Sequence, residues 1–205
     1  MKGLRFITQA PTIEVNPNRS DVACFVGVVG RKESYVPEAI AHWLRDRGWT
    51  VGPTARAGAQ SIEVATAEEP DLPPKPRTLL DVPVPIDSWA VFEQLFESER
   101  LVKTESVLKG GTYLSAAVRS FFIQGGRRCY VVRVNDPLPI TTERSQRLSL
   151  ISKLIPGYDT GLLAGNPSDR ISWSGVSHLL GLPEVSFLCL PDLCDLVADD
   201  PLPLP

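Results

Sequence analysis

"TYLSAAVRSFFIQGGRRCYVVRV" (112–134) is the stretch on which the fold turns. Its first half sets Leu114, Ala117, Val118, Phe121 and Phe122 at i, i+3, i+4, i+7 and i+8, the spacing of one helical face. Thr112 stands where an N-cap hydroxyl can accept from a free first-turn amide. Gly125 stands where a left-handed residue ends a helix at little cost. "CYVVRV" (129–134) then carries β-branched and aromatic residues on both alternating faces, as a strand buried on both sides requires. A helix therefore feeds a buried strand through a tight turn bearing Arg127 and Arg128. Two readings of those arginines stand open: solvated side chains, or groups that recognise a carboxylate or phosphate.

Outward from this junction the pattern repeats. "DVACFVGVVG" (21–30) is a continuous apolar run bounded by turn residues and reads as another strand buried on both faces. In "VPEAIAHWLRDRGW" (36–49), Pro37 suits the first helical position and Gly48 the stop. Ile40, Trp43, Leu44 and Arg47 share the inner face there, leaving His42 solvated. "DSWAVFEQLFES" (87–98) predicts a helix capped by Asp87 or Ser88, with Trp89, Phe92, Leu95 and Phe96 inward. "SQRLSLISKLI" (145–155) predicts a further helix with Leu148, Ile151 and Ile155 together. "SWSGVSHLLGLPEVSFLCLPDL" (172–193) reads as a short helix with His178 partly exposed, a turn at Gly181–Pro183, and a buried strand at 185–190. Residues 51–85, with "AEEPDLPPKPR" (67–77) and "DVPVPID" (81–87), show little periodicity and read as an irregular Pro-rich insertion with a short strand at "QSIEVAT" (60–66).

Buried strands separated by amphipathic helices predict an α/β domain over 21–198, with a mainly parallel or mixed sheet flanked by helices on both faces. Residues 1–20 form an amino-terminal arm. Residues 199–205, "DDPLPLP", read as the start of an extended Pro-rich linker or tail, beyond which the natural chain is expected to continue.

Composition narrows the function classes. The 205 residues carry a net charge of −3, with 43% hydrophobic and 22% charged residues. That is ordinary globular composition, without the basic excess of a general nucleic-acid binder. No apolar run reaches the length of a membrane span, and "MKGLRFITQAPTIEV" lacks a secretory signal's apolar core. Cys24, Cys129, Cys189 and Cys194 complete neither a redox CxxC nor a zinc set, and His42 and His178 add no ligand spacing. Structural thiols in a reducing compartment are the reading, with no metal or cofactor.

Catalytic motifs are missing where an α/β enzyme would place them, after the strand ends. "VGVVGRKES" has Gly27 and Gly30 but neither GxGxxG nor GK[ST], and Gly27 is better explained by close backbone packing. Asn135 and Asp136 in "RVNDPLP" are polar strand-end groups or a turn initiator. Asp192 and Asp195 in "CLPDLCD" can serve as strand-end carboxylates, but no base or nucleophile joins them by spacing. "WSGVS" is not a GxSxG elbow. No catalytic residue is assigned.

Four segments in order, "DVACFVGVVGR", "SWAVFEQLF", "YLSAAVRSFFIQGGRRCYVVRV" and "VSFLCLPDL", resemble the tail sheath proteins of contractile phage tails and related bacterial contractile injection systems. The most specific is "AVRSFFIQGGRRCYVVRV", a helix ending in Gly-Gly that leads through basic residues into a central strand. The resemblance implies a structural subunit, not an enzyme. Such subunits stack as six-fold rings around an inner tube protein, exchange terminal strands with copies of themselves, and convert between two lattices to drive the tube. It implies assembly in the bacterial cytoplasm as part of a phage tail or tail-like particle, contact with baseplate or cap proteins, and no cofactor, nucleic acid or membrane span. "PTIEV" (11–15) would be an exchangeable strand, so Ile13, Val15, Arg127 and Arg128 are the candidate assembly residues. The chain departs from the family in its long Pro-rich segment and in ending before the tube-contacting region, which leaves a short cap, terminator or adaptor as the alternative role. The rivals outside the family are a doubly wound nucleotide-binding enzyme and an interaction module presenting the Pro-rich segment.

Overall fold

The computed structural model describes residues 21–32, 36–49, 79–98, 102–104, 107–109, 112–138, 142–159, 161 and 166–199. Strand β1 (Val22–Val28) is buried along its whole length, and β5 (Arg128–Asn135) is buried from Cys129 to Val134. They run side by side in parallel, Val22 opposite Arg128 and Phe25 opposite Val131. β6 (Phe187–Cys189) joins the other side of β1, also parallel, and β2 (Pro83–Ile86) lies antiparallel along β5. The result is a mixed four-stranded sheet in the order β2-β5-β1-β6. A separate antiparallel pair, β3 (Val102–Thr104) and β4 (Val107–Lys109), precedes the central helix and was not foreseen from the sequence.

The period of two in the central strands divides the core. Ala23, Phe25, Cys129 and Val131 join Ile40 and Leu44 of α1 (Glu38–Asp46), Phe92 and Leu95 of α2 (Trp89–Leu95), and Leu114 and Val118 of α3 (Tyr113–Ile123). The alternate residues Val22, Cys24, Val26, Tyr130 and Val132 join Leu150, Ile151 and Leu154 of α4 (Arg144–Leu154) and Leu196 of α5 (Leu193–Val197). Two-sided burial is why both strands read as unbroken apolar runs.

Several expectations are corrected. Pro37 sits at the N-cap of α1, not its first helical residue. The inward face of α4 is Leu150, Ile151 and Leu154, while Leu148 and Ile155 lie half-buried at its sides. Phe121 and Phe122 are half-buried. The strand at 185–190 is only three residues long and exposed, because it forms an edge of the sheet.

The largest correction concerns the end of the Pro-rich stretch. "PVPI" is a strand, and Val82, Val84 and Ile86 have no exposed surface. Pro83 and Pro85 share one parity, so their missing N–H groups fall on one side of β2. With β5 on the other side the ladder stays intact, and proline is tolerated because β2 is an edge. The strand foreseen at 60–66, the arm 1–20 and residues 200–205 lie outside the described residues.

Candidate functional site

At the carboxyl end of β1, where a doubly wound fold binds its ligand, a carboxylate of the chain fills the position. Asp192 is buried, and its Oδ2 accepts from the Val28 N–H at 2.8 Å. Its Oδ1 accepts from the Tyr113 and Leu114 N–H groups at 2.7 and 3.2 Å, the first two amides of α3. The Thr112 hydroxyl makes no cap bond, so the residue at the N-cap position is not the one that caps. Asp192 instead satisfies the orphan amides and complements the helix dipole from a distant loop. Burial pushes its carboxyl above the ordinary carboxylate range, while the three N–H donors pull the other way. Gly27 completes the arrangement: a Cβ there would stand 2.3 Å from Asp192 Oδ2 and 2.8 Å from Leu114 Cδ1. Close packing is therefore its role.

The other strand-end groups are held by structural contacts. Asp136, mostly exposed, accepts from buried Arg133 Nη2 at 2.7 Å, while Arg133 Nε donates to the Val29 carbonyl at 2.8 Å. The Asn135 side chain donates to the Asp136 carbonyl at 3.0 Å. Asp195 is exposed and its carbonyl accepts from Arg147 at 2.8 Å. Arg31 and Lys32 donate to the carbonyls of Leu95 and Glu93 at 2.7 and 2.6 Å, placing two cations at the carboxyl end of α2. A Cβ on Gly30 would meet the Glu97 carboxylate at 2.0 Å. Burial pushes the Cys24 thiol up to about 12 and the Cys129 thiol higher still, so both stay protonated hydrophobes. Among the described residues no group of three His, Cys, Asp or Glu could hold a metal ion.

His42 is solvated as expected, with Asp46 at 2.8 Å. His178 is not: its side chain has no exposed surface, correcting the expectation of partial exposure. Its Nε2 lies 3.2 Å from Asp81 Oδ1, which also accepts from the Gly175 N–H at 2.8 Å. The Trp49 ring stands 5.4 Å away, so His178 meets the last described residue before segment 50–78 and a residue just after it. Leu79 and Asp81 hold left-handed backbones there, at φ +48° and +52°. Such conformations persist only where surrounding contacts fix them, here the burial of Leu79 and the hold on Asp81.

The helix–strand junction forms as read, by a stated geometry. Gly126 N–H donates to the Phe121 carbonyl at 2.9 Å and Gly125 N–H to that of Phe122 at 3.1 Å, the paired bonds of a Schellman motif. Gly125 has φ +91°, and a Cβ on Gly126 would stand 2.3 Å from the Phe121 ring. Each glycine thus has its own reason. Beyond them Arg127 is exposed, and Arg128 forms a two-pronged pair with Asp87 at 2.6 and 3.2 Å. Asp87 leaves the capping of α2 to Ser88, whose Oγ accepts from the Val91 N–H at 3.3 Å. Ile13 and Val15 lie outside the described residues.

The sheet's two edges differ in chemistry. Pro83 and Pro85 remove two outward N–H donors from β2, the ordinary protection of an edge. β6 has neither proline nor charge, and Phe187 and Leu188, which point to opposite faces, are each 40% exposed. This edge was missed in the sequence because "SFLCL" looks like any buried strand; that β6 has no second neighbour among the described residues is a property of topology. Among the described residues no helix is long and apolar enough to cross a membrane. Comparison with family models, with curated proteins and with solved structures found no match to the chain.

Proposed function

We propose that the chain is a structural subunit of a contractile tail or injection sheath, part of a phage tail or tail-like particle assembled in the bacterial cytoplasm. In this reading an α/β body, with helices flanking both faces of its sheet and a Pro-rich insertion before β2, stacks in six-fold rings around an inner tube protein. Neighbouring copies join by strand exchange, and baseplate or cap proteins bind the ends. No turnover is asked of the chain, because the work lies in the difference between two lattice packings.

The observation that carries the reading is the asymmetry of the sheet edges among the described residues: β2 closed by Pro83 and Pro85, β6 open, uncharged and apolar. Strand addition needs an edge of the second kind. An arm strand bringing Ile13 and Val15 would bury Phe187 and Leu188, with Arg127 and Arg128 as polar contacts elsewhere on the rim. The capping role of Asp192 supports assembly over ligand binding, since the amides that would cradle a phosphate already have an acceptor.

Electron microscopy of native particles tests the proposal. The expected image is a six-fold array of this protein along a tube, lost when Leu188→Lys charges the edge. Density confined to the end of the tube would assign the cap or adaptor role instead. Intact tubes lacking the protein, beside dispersed monomer, would overturn both.

A further inference from the structure

A groove of about 400 Å³ runs between α2 and α3, on the side of α3 turned away from the sheet. Trp89 forms one wall. Tyr113, Ala116, Ser120 and Ile123 of α3 form the other, at i, i+3, i+7 and i+10, with small residues between two large ends. Tyr113 is 43% and Ile123 74% exposed. The Arg119 guanidinium stands 5.9 Å over the Trp89 ring. No carboxylate is among the described residues lining the groove.

Aromatic walls and lining hydroxyls suit a polyproline II segment, whose preformed shape costs little entropy to bind. With no carboxylate opposite the guanidinium among the described residues, an acidic segment fits best. The chain contains one of that composition: "AEEPDLPP" (67–74) has Pro70, Pro73 and Pro74, with Glu68, Glu69 and Asp71 and no basic residue. Of the other Pro-rich stretches, 81–87 supplies β2 of the sheet, and the last begins with Asp199, which already pairs with Arg144 at 3.3 Å. We propose that the α2–α3 groove is a docking site for residues 67–74 of this chain, with prolines and Leu72 against Trp89 and Tyr113 and a carboxylate on Arg119. The site is independent of the sheath reading and survives its failure.

The test uses the full chain carrying Ile123→p-benzoylphenylalanine, a photo-crosslinker at the more exposed of the two large wall residues. Irradiation and peptide mapping should join position 123 to residues 67–74. Arg119→Glu should cut the yield about tenfold, the loss expected when a charge contact becomes a repulsion. Excess synthetic AEEPDLPP should compete, while the same peptide with its three acids replaced by lysine should not. Matching thermal melts would show that Arg119→Glu leaves the fold intact. Cross-links to 199–205 or to other proteins, or a yield indifferent to Arg119→Glu and to the peptide, would overturn the proposal.

Discussion

Asp192 joins three parts of the fold through one carboxylate: the end of β1, the start of α3 and the loop after β6. Asp192→Asn keeps the shape but turns an amide NH₂ toward an N–H donor, which should cost about 1 to 3 kcal/mol in urea denaturation. Its pH dependence has a definite sign. Burial raises the folded carboxyl above the ordinary value of 3.8, so the group's stabilising contribution is complete below that pH and is lost as pH rises through the folded value. The penalty of Asp192→Asn should therefore be larger at pH 3 than at pH 7. A penalty that grows with pH would mean that the three N–H donors outweigh burial. Gly27→Ala drives a methyl into the same carboxylate and should cost about 1 to 3 kcal/mol. The two sites touch, so Gly27→Ala should cost less in an Asp192→Ala background, and simple additivity would show that the Leu114 contact dominates.

At the scale of elements, the corner from α3 to β5 separates stability from surface. Phe121 is half-buried, with the Phe25 and Phe122 rings at 5.8 and 5.3 Å. Phe121→Ala should cost about 2 kcal/mol, below the 3 to 5 of a fully buried ring. Arg127→Ala should change stability by less than about 0.5 kcal/mol, and Arg128→Ala by less than about 1 kcal/mol, since the Asp87 pair is exposed. Chemical denaturation checks all three, and a large loss for Arg127→Ala would mean that it has a structural partner. This corner was legible because helix period, glycine stop and strand onset are local and adjacent. β1, α1 and α2 were legible for the same reason. β2 was not, because its prolines imitate a loop until the strand is known to lie at an edge. The Asp192 cap was not, because the sequence offers a plausible local cap in Thr112 and the real one comes from 79 residues away. The burial of His178 was hidden likewise, since it depends on Trp49 and Asp81, each far from it along the chain.

For the whole molecule the decisive property is that, among the described residues, its sheet is closed on one side and open on the other. Pro83 and Pro85 leave the outer side of β2 short of two N–H donors, which disfavours pairing with the β6 edge of another copy, the heterologous contact that would run on as an open fibre. Pro83→Val with Pro85→Val restores two outward N–H groups and a strand-favouring side chain at each position. Folding stability should move by no more than about 1 kcal/mol, because lost unfolded-state restriction and gained strand propensity offset each other. Association should change far more. Sedimentation velocity of the double variant should show concentration-dependent growth beyond that of the parent. Adding Leu188→Lys to the same chain should abolish that growth by charging the opposite edge. Growth that survives Leu188→Lys would place the new contact away from β6. A double variant that sediments like its parent would mean that something other than the two prolines closes the β2 edge, and the edge asymmetry would then no longer support the proposed assembly.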